Sequence, residues 1–516
     1  MTTSISETLL SQLSEFVAGR VGLCFPRERW ADLERGIRSV VREFDSEDVE
    51  SCIQWLMSSP LTREGIELLA SHLTVGETYF FREKRTFEIL EEHVLPELIY
   101  SRQRNEKRLR LWSAGCATGE EPYSIAILLS KMIPALKDWN ITILATDINP
   151  HFLQKASEGV YSQWSFRDAP PWIKDRYFRK TEDGRFEISP DIRKMVTFSY
   201  HNLAEDTYPS LLNNTNAMDI IFCRNVLMYF TPGRTRKVTK NLYRSLVDGG
   251  WLIASPSETS HVLFSHFVTI NFPSAILYRK EGKTPETVET FPYKLTEEPK
   301  VSFQPPLDFV TEPEPEPEVT FLRETREPLP DQQVGLPSEV EEPKTAESQS
   351  TPYVEASALY ERGRYAEAVE KILRLISRNQ DDSQAITLLT RAYANQGELS
   401  EALRWCEKAI AIDKLNSELY HLRATILQEQ GSIDEAIISL KRALYLDQNF
   451  VLAHFTLGNL ALRQGKYKES KRHFDNALIL LPGYRQEEIL PQSEGITVGR
   501  LSEIIASMMG REGVTL

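Results

Sequence analysis

The sequence predicts an α/β protein in which a doubly wound, mostly parallel sheet lies between two all-helical regions. Three observations predict it. Residues 105–282 alternate short apolar strands with helices, the pattern of parallel sheets with helical crossovers. The regions on either side carry apolar residues at helical spacing. Between 109 and 129, LRLWSAGCATGEEPYSIAILL runs from a strand through a turn of small residues into a helix. A sheet of this kind brings backbone close to a nucleotide-like ligand at such a turn.

Residues 1–98 read as helices throughout. Leu9, Leu10, Leu13, Phe16 and Val17 recur at helical spacing, as do Trp30, Leu33, Ile37, Val40 and Val41. The second of these helices bears Arg27, Arg29, Arg35, Arg38 and Arg42. That face is either a solvated surface or a dock for an acidic partner. In the sheet region the expected strands are 109–113, 141–146, 196–200, 219–223 and 251–254. An antiparallel pair at 267–271 and 274–279 closes the sheet, and 165–195 holds a small hairpin insertion. Residues 285–352 contain 13 of the 28 prolines, and 16 Asp or Glu against 5 Lys or Arg. Such a stretch cannot bury enough apolar surface to offset its ordering entropy, so a disordered acidic tether over 283–348 is expected.

Beyond it, Gly363, Gly397, Gly431 and Gly465 stand 34 residues apart. Ala368, Ala402, Ala436 and Ser470 follow each by five residues, and Leu375, Ala409, Ala443 and Ala477 by twelve. Small residues there let paired helices cross closely, and a helix-turn-helix period of 34 is the tetratricopeptide signature. Four repeats are expected at 349–382, 383–416, 417–450 and 451–484. Residues 485–516 would form a tail with a capping helix at 498–509, because a solenoid end must hide its last apolar face.

A chain of 516 residues with a net charge of −14 disfavours an electrostatic nucleic-acid binder. The five cysteines (24, 52, 116, 223, 406) form no paired motif, so neither a disulfide framework nor a metal site is expected. The opening residues lack signal-peptide character, and no run of 18 apolar residues occurs. A cytoplasmic location is expected.

Four blocks fall at the carboxyl edge of the sheet, where this architecture binds ligands. The first is the turn at 113–121, with Gly115, Glu120 and Glu121. Acids at a helix start argue against a pyrophosphate and suit a ligand with hydroxyls and a positive charge, such as S-adenosylmethionine. Only one of the two glutamates should face it, because they point about 100° apart on a helix. The second block ends in Asp147, placed to accept from ribose hydroxyls. The third carries Asn202, placed for an adenine edge. The fourth, DIIFCRNVLMYF, sets Arg224, Asn225 and Tyr229 past a buried strand. A dinucleotide oxidoreductase is disfavoured by the lack of G-x-G-x-x-G. Upstream, TVGETYFFREKR would place Thr78 and Arg82 on one helical face.

In this order, TVGETYFFRE, WSAGCATGEEPYSIA, ATDIN and IFCRNVLMYF closely resemble the CheR-type chemoreceptor glutamate methyltransferases. The resemblance covers about residues 10–282. It implies a helical N-terminal domain and a class I, Rossmann-like methyltransferase domain with an inserted β-subdomain. It also implies methyl transfer from S-adenosylmethionine to glutamate side chains of receptor cytoplasmic helices, leaving S-adenosylhomocysteine. Carried over by motif, Thr78, Arg82, Glu121 or Glu120, Asp147, Asn202, Leu203, Arg224 and Asn225 would hold the cofactor. Arg82 and Tyr229 would flank the transferable methyl, and Arg35, Arg38 and Arg42 match the receptor-docking surface. Two departures stand out. Gly76 occupies a cofactor-binding position where relatives often have Asn, and Ser255-Pro256-Ser257-Glu258 replaces the usual Gly-His-Ser-Glu.

The leading expectation is an active receptor methyltransferase whose repeats bind a protein or peptide partner in their groove and recruit through the tether. The alternative is a scaffold that has lost activity and works through its repeats. Intact Arg82, Glu121, Asp147, Asn225 and Tyr229 count against it. An enzyme acting on nucleic acid or a small molecule is disfavoured by the acidic balance.

Overall fold

The computed structural model describes residues 5–41, 48–58, 63–103, 107–204, 208–281, 352–493 and 495–510. The expected tether therefore lies outside the described residues. Strand β1 (Arg108–Ala114) is buried along its whole length, as a strand covered on both faces must be. It pairs in parallel with β2 (Asn140–Asp147) and with β7 (Met218–Phe222). Around them β6 (Val196–Tyr200), β8 (Leu246–Ile253), β9 (Val268–Phe272) and β10 (Ala275–Arg279) complete the order β6-β2-β1-β7-β8-β10-β9. Only β8/β10 and β10/β9 pair antiparallel. The strand order reverses between β1 and β7, so a crevice opens at their carboxyl ends.

Helices α7 (Glu120–Met132), α8 (Pro150–Glu158) and α11 (Pro232–Ser245) supply crossovers. The insertion is larger than a hairpin. It holds α9 (Pro171–Tyr177) and α10 (Pro190–Arg193), and β3 (Val160–Tyr161) joins β4 (Phe178–Lys180) and β5 (Phe186–Ile188) in a three-stranded antiparallel sheet. β3 has only two residues, too few to show alternation in sequence.

The N-terminal region comprises α1 (Glu7–Arg20), α2 (Trp30–Val41), α3 (Val49–Ser58) and α4 (Arg63–Leu73), followed by α5 (Lys84–Ile89) and α6 (Leu95–Gln103). Its core gathers Leu13, Val17, Leu33 and Ile37, all fully buried. The expectation that 1–98 is helical throughout fails at 74–83, which is extended and then turns. Phe81 and Glu83 adopt φ of 57° and 60°, left-handed values that a helix does not admit.

The repeat region is four helix pairs: α12 (Pro352–Glu361) with α13 (Tyr365–Ile376), α14 (Ser383–Gln396) with α15 (Leu399–Ile412), α16 (Ser417–Glu429) with α17 (Ile433–Leu446), and α18 (Val451–Arg463) with α19 (Tyr467–Leu480). The four periodic glycines sit at left-handed φ between 71° and 83° in the turns, a conformation glycine adopts without strain. Helix α20 (Val498–Gly510) packs Leu501 and Ile505 on the last repeat. The array packs on the amino edge of the sheet, where Asn140 at the start of β2 donates to the Glu429 carbonyl at 2.7 Å. No helix among the described residues is long and apolar enough to cross a membrane.

Candidate functional site

The turn after β1 closes because the N–H groups of Gly115 and Cys116 both donate to the Thr146 carbonyl, at 2.8 and 2.9 Å. Gly115 has φ +86°, and a Cβ there would lie 2.3 Å from Val226 Cγ2. Glycine thus lets this turn meet the loop after β7. The two loops and the ends of β2 and β6 frame a crevice with two lobes, sharing Val75, Gly115, Ala117 and Asn225.

The first lobe, about 650 Å³ with its open mouth, is mostly apolar and includes Phe152, Leu203, Val226 and Tyr229. Val21 and Leu23 of the N-terminal region line its far side. They are fixed there by Asn202 Nδ2, which donates to the Val21 carbonyl at 3.2 Å, and by Cys24 N–H, which donates to the Tyr229 carbonyl at 2.7 Å. Asp147 is 8 % exposed in this lobe. Its Oδ2 accepts from Ala117 N–H and its Oδ1 from Asn149 N–H, both at 2.9 Å. Burial pushes its carboxyl up to about 6, against the lowering effect of these bonds. The remaining lone pairs suit a vicinal diol, which donates two hydrogen bonds to one carboxylate.

The second lobe, about 470 Å³, is polar and includes Thr78, Arg82, Glu121, Arg224 and Asn225. The Arg224 side chain is 2 % exposed and lies 3.0 Å from Glu121 and 2.9 Å from Glu83. It also donates to the Arg82 carbonyl at 2.6 Å, so it fastens the 82–83 turn to the start of α7. Ser113 Oγ donates to the other Glu121 oxygen at 2.7 Å. Arg82 Nη1 donates to the Glu77 carbonyl at 2.6 Å, and its guanidinium lies 5.7 Å from the centre of the Tyr79 ring.

The residues fit S-adenosylmethionine. The apolar lobe with Asp147 would suit an adenosine, and the polar lobe with Glu121 would suit an ammonium. Glycine at 115 clears the approach between them, and the helix start carries acids where a phosphate would demand free donors.

The structure brings together Thr78, Arg82, Gly115, Glu121, Asp147, Asn202, Leu203, Arg224, Asn225 and Tyr229 along the crevice. It corrects others. Glu120 faces away from both lobes: it is 2 % exposed and accepts from the Thr118 hydroxyl at 2.6 Å and the Ser165 hydroxyl at 3.0 Å. Burial raises its carboxyl pKa. Glu121 is therefore the glutamate that faces the crevice. Gly76 lines neither lobe, and a Cβ there would lie 2.6 Å from the Phe152 ring. An Asn side chain could not occupy that space without displacing this wall of the adenosine lobe. Thr78 and Arg82 share a lobe through the extended segment and turn, not through a helical face. Tyr229 lines the first lobe and Arg82 the second. Arg35 is exposed and lies 3.3 Å from Asp32, whereas Arg38 is engaged by Glu34 at 2.5 Å. Arg42 lies outside the described residues.

Four contributors escaped sequence reasoning. Val21 and Leu23 come from a loop whose role depends on how the helical region folds over the sheet. Phe152 comes from the first turn of α8. Glu258 is 8 % exposed and holds the loop after β7. Its Oε2 accepts from Asn225 N–H at 2.7 Å and its Oε1 from Met228 N–H at 3.2 Å. The Ser-x-x-Glu capping box it forms with Ser255 is a readable signal. Cys116 and Cys223 are buried, with thiol pKa values raised by that burial, in keeping with packing roles.

A family model described as CheR methyltransferase, SAM binding domain, matches residues 76–275. Tetratricopeptide repeat models match 353–417, 405–438 and 451–484. The chain is similar to chemotaxis protein methyltransferase 2 of Vibrio cholerae, 37% identical over 225 residues, which are 43% of this chain and 76% of that protein. The chemotaxis protein methyltransferase of Borreliella burgdorferi is 31% identical over 259 residues, 50% of this chain and 89% of that protein. Chemotaxis protein methyltransferase 1 of Pseudomonas aeruginosa is 35% identical over 218 residues, 41% and 77% respectively. S-adenosylmethionine is the methyl donor such a domain binds.

Proposed function

We propose that this chain, which belongs to the chemotaxis protein methyltransferase family, esterifies glutamate side chains on the cytoplasmic helices of chemoreceptors. The observation that carries the reading is the polar lobe, where Arg82 and Thr78 stand beside the Glu121–Arg224 pair with no histidine or lysine among the lining residues, and where burial raises the thiol pKa of Cys116, the one cysteine of that lining. A glutamate nucleophile needs no base, because its carboxyl, with an ordinary pKa of about 4.3, is already ionised at neutral pH. The bound cofactor supplies an electrophilic methyl on a sulfonium.

The chain's own residues position the partners. Asp147 and Asn225 hold the nucleoside half, and Glu121, fixed by Arg224 and Ser113, meets the ammonium of the amino-acid half. Arg82 orients the incoming carboxylate beside the methyl, since a guanidinium grips carboxylates directionally. Tyr229 and the Val21–Leu23 loop exclude water from the other side. Orientation of this kind is worth roughly 7–11 kcal/mol. The enzyme works in the cytoplasm, and its repeats carry protein contacts.

The test is transfer of labelled methyl from S-adenosylmethionine to candidate receptors. Glutamate esters release the label as methanol on mild alkaline treatment. Base-stable label, or label lost only on replacing a residue other than glutamate, would overturn the assignment.

A further inference from the structure

We propose that the inner groove of the repeat array takes the enzyme's own loop, residues 209–216 between β6 and β7, as its ligand, and that this docking is coupled to cofactor affinity.

The groove is formed by the first helices of the repeats, α14, α16 and α18. Leu211 packs into the cluster of Ala394, Leu399, Leu422 and Ile426. Leu212 packs into a second cluster, with Leu452 and Phe455 of α18 and Leu490 of the tail. Two adjacent aliphatic side chains thus join two separate apolar clusters of the array.

A buried charge sets the register. Glu429, at the end of α16, has a side chain 5 % exposed. Asn216 Nδ2 donates to its Oε1 at 3.0 Å, and Arg108 Nη2 donates to its Oε2 at 3.2 Å. Arg110, 2 % exposed, lies 3.8 Å away and donates to the Asn214 carbonyl and side-chain oxygens at 2.9 and 2.6 Å. Burial lowers the Arg110 guanidinium to about 10, which leaves it charged at neutral pH. A buried carboxylate between two guanidiniums is stable only while all three remain together. The turn glycines follow the same edge: a Cβ at Gly397 would lie 2.8 Å from Arg108, and one at Gly363 2.9 Å from Arg244.

The loop connects to the cofactor crevice through Tyr208. Its hydroxyl donates to the Leu203 carbonyl at 2.9 Å, and its ring lies 5.0 Å from the His201 ring. His201, Asn202 and Leu203 all line the adenosine lobe. An array that grips residues 209–216 therefore holds one wall of that lobe from behind. Linkage is reciprocal, so cofactor binding must in turn tighten docking.

The inference rests on the cofactor reading, and the experiment separates the two. Amide hydrogen exchange is followed on the full chain, with and without S-adenosylhomocysteine, for the wild type, Glu429→Gln, and Leu211→Ser with Leu212→Ser. Binding is measured by calorimetry and helix content by circular dichroism. We expect S-adenosylhomocysteine to slow wild-type exchange in α14 and α16 as well as in the crevice. We expect both variants, at unchanged helix content, to exchange at least tenfold faster over 208–217 and to bind three- to tenfold more weakly. A wild type that binds the ligand without protecting α14 and α16 overturns the coupling, even if the variants fail to fold. Folded variants with native exchange at 208–217, or with a freed loop and native affinity, also overturn it. A wild type that does not bind at all would instead refute the cofactor reading.

Discussion

Glu258 accepts the backbone N–H of Asn225 at 2.7 Å, across 33 residues of sequence. Asn225 lines both lobes of the crevice and sits at φ 57°, a left-handed conformation that must be held by its surroundings. Glu258 thus positions a crevice residue without lining the crevice itself. Replacing it by Ala orphans the N–H groups of Asn225 and Met228, and a buried unsatisfied donor costs about 1–3 kcal/mol. We expect Glu258→Ala to weaken S-adenosylhomocysteine binding about tenfold or more and to lower the melting temperature. Glu258→Gln, which can still accept one N–H, should recover most of both. Equal affinity in wild type and Ala variant, measured by calorimetry, would remove Glu258 from the site's support.

We expect Asp147 to make cofactor affinity depend on pH. Burial raises its carboxyl from 3.8 to about 6 in the free protein, and ribose hydroxyls donate to the ionised form. Affinity should be level above pH 7 and fall below pH 6, approaching tenfold per unit, with proton release on binding near pH 6. For stability the sign is opposite. A raised carboxyl favours the folded state below pH 4, and that contribution is lost as pH rises through 6. The cofactor-free protein should therefore lose stability over this window through Asp147, and Asp147→Asn should flatten the profile. The Asn variant should also bind at least tenfold more weakly, because hydrogen bonds to a charged acceptor are worth about 1.5–3 kcal/mol. An affinity that stays constant down to pH 5 would contradict this role.

How much of this was legible in the sequence depends on the range of the interactions. Strands such as β6 and β7 were readable because apolar runs and turn residues are local signals. The repeat turns were readable because glycine at left-handed φ recurs at a fixed spacing. Asp147 and Asn225 were readable because their strand ends place them. The choice between Glu120 and Glu121 was not, because it depends on Ser165 of the inserted subdomain, which captures Glu120. The Val21–Leu23 wall and the docking of Glu429 on Arg108 were hidden for the same reason. Each joins residues whose separation no periodicity records.

The two glutamates at the start of α7 should separate cleanly on substitution. Glu121 meets Arg224 and Ser113 in the polar lobe, so Glu121→Gln removes the charge proposed to meet an ammonium and leaves the buried Arg224 with Glu83 as its remaining acid. S-adenosylhomocysteine affinity should fall at least tenfold. Glu120 is held by the Thr118 and Ser165 hydroxyls with its pKa already raised by burial. Glu120→Gln keeps the shape and drops the desolvated charge, so affinity should stay within about twofold and the melting temperature should hold or rise. Calorimetry on both variants decides the assignment, and the reverse ranking would return Glu120 to the site.

Of Arg35 and Arg38, the two described arginines proposed to dock a receptor, Arg35 is the more exposed. Its side chain is 77 % exposed and 3.3 Å from Asp32, whereas Arg38 is held by two nitrogens against Glu34. A solvated pair such as Arg35–Asp32 contributes little to folding, so charge reversal there should leave the fold and cofactor affinity intact. If α2 meets an acidic receptor helix, Arg35→Glu should raise KM for the receptor several-fold with kcat nearly unchanged, because rim charges act on encounter more than on the bound state. The difference between wild type and variant should shrink as salt rises toward 0.5 M, where screening falls to a few ångströms. Arg38→Glu should cost more, since it also sets two acids against each other one helical turn apart. Methylation kinetics at two salt concentrations check this, and an Arg35→Glu enzyme with native KM at low salt would remove α2 from the receptor interface.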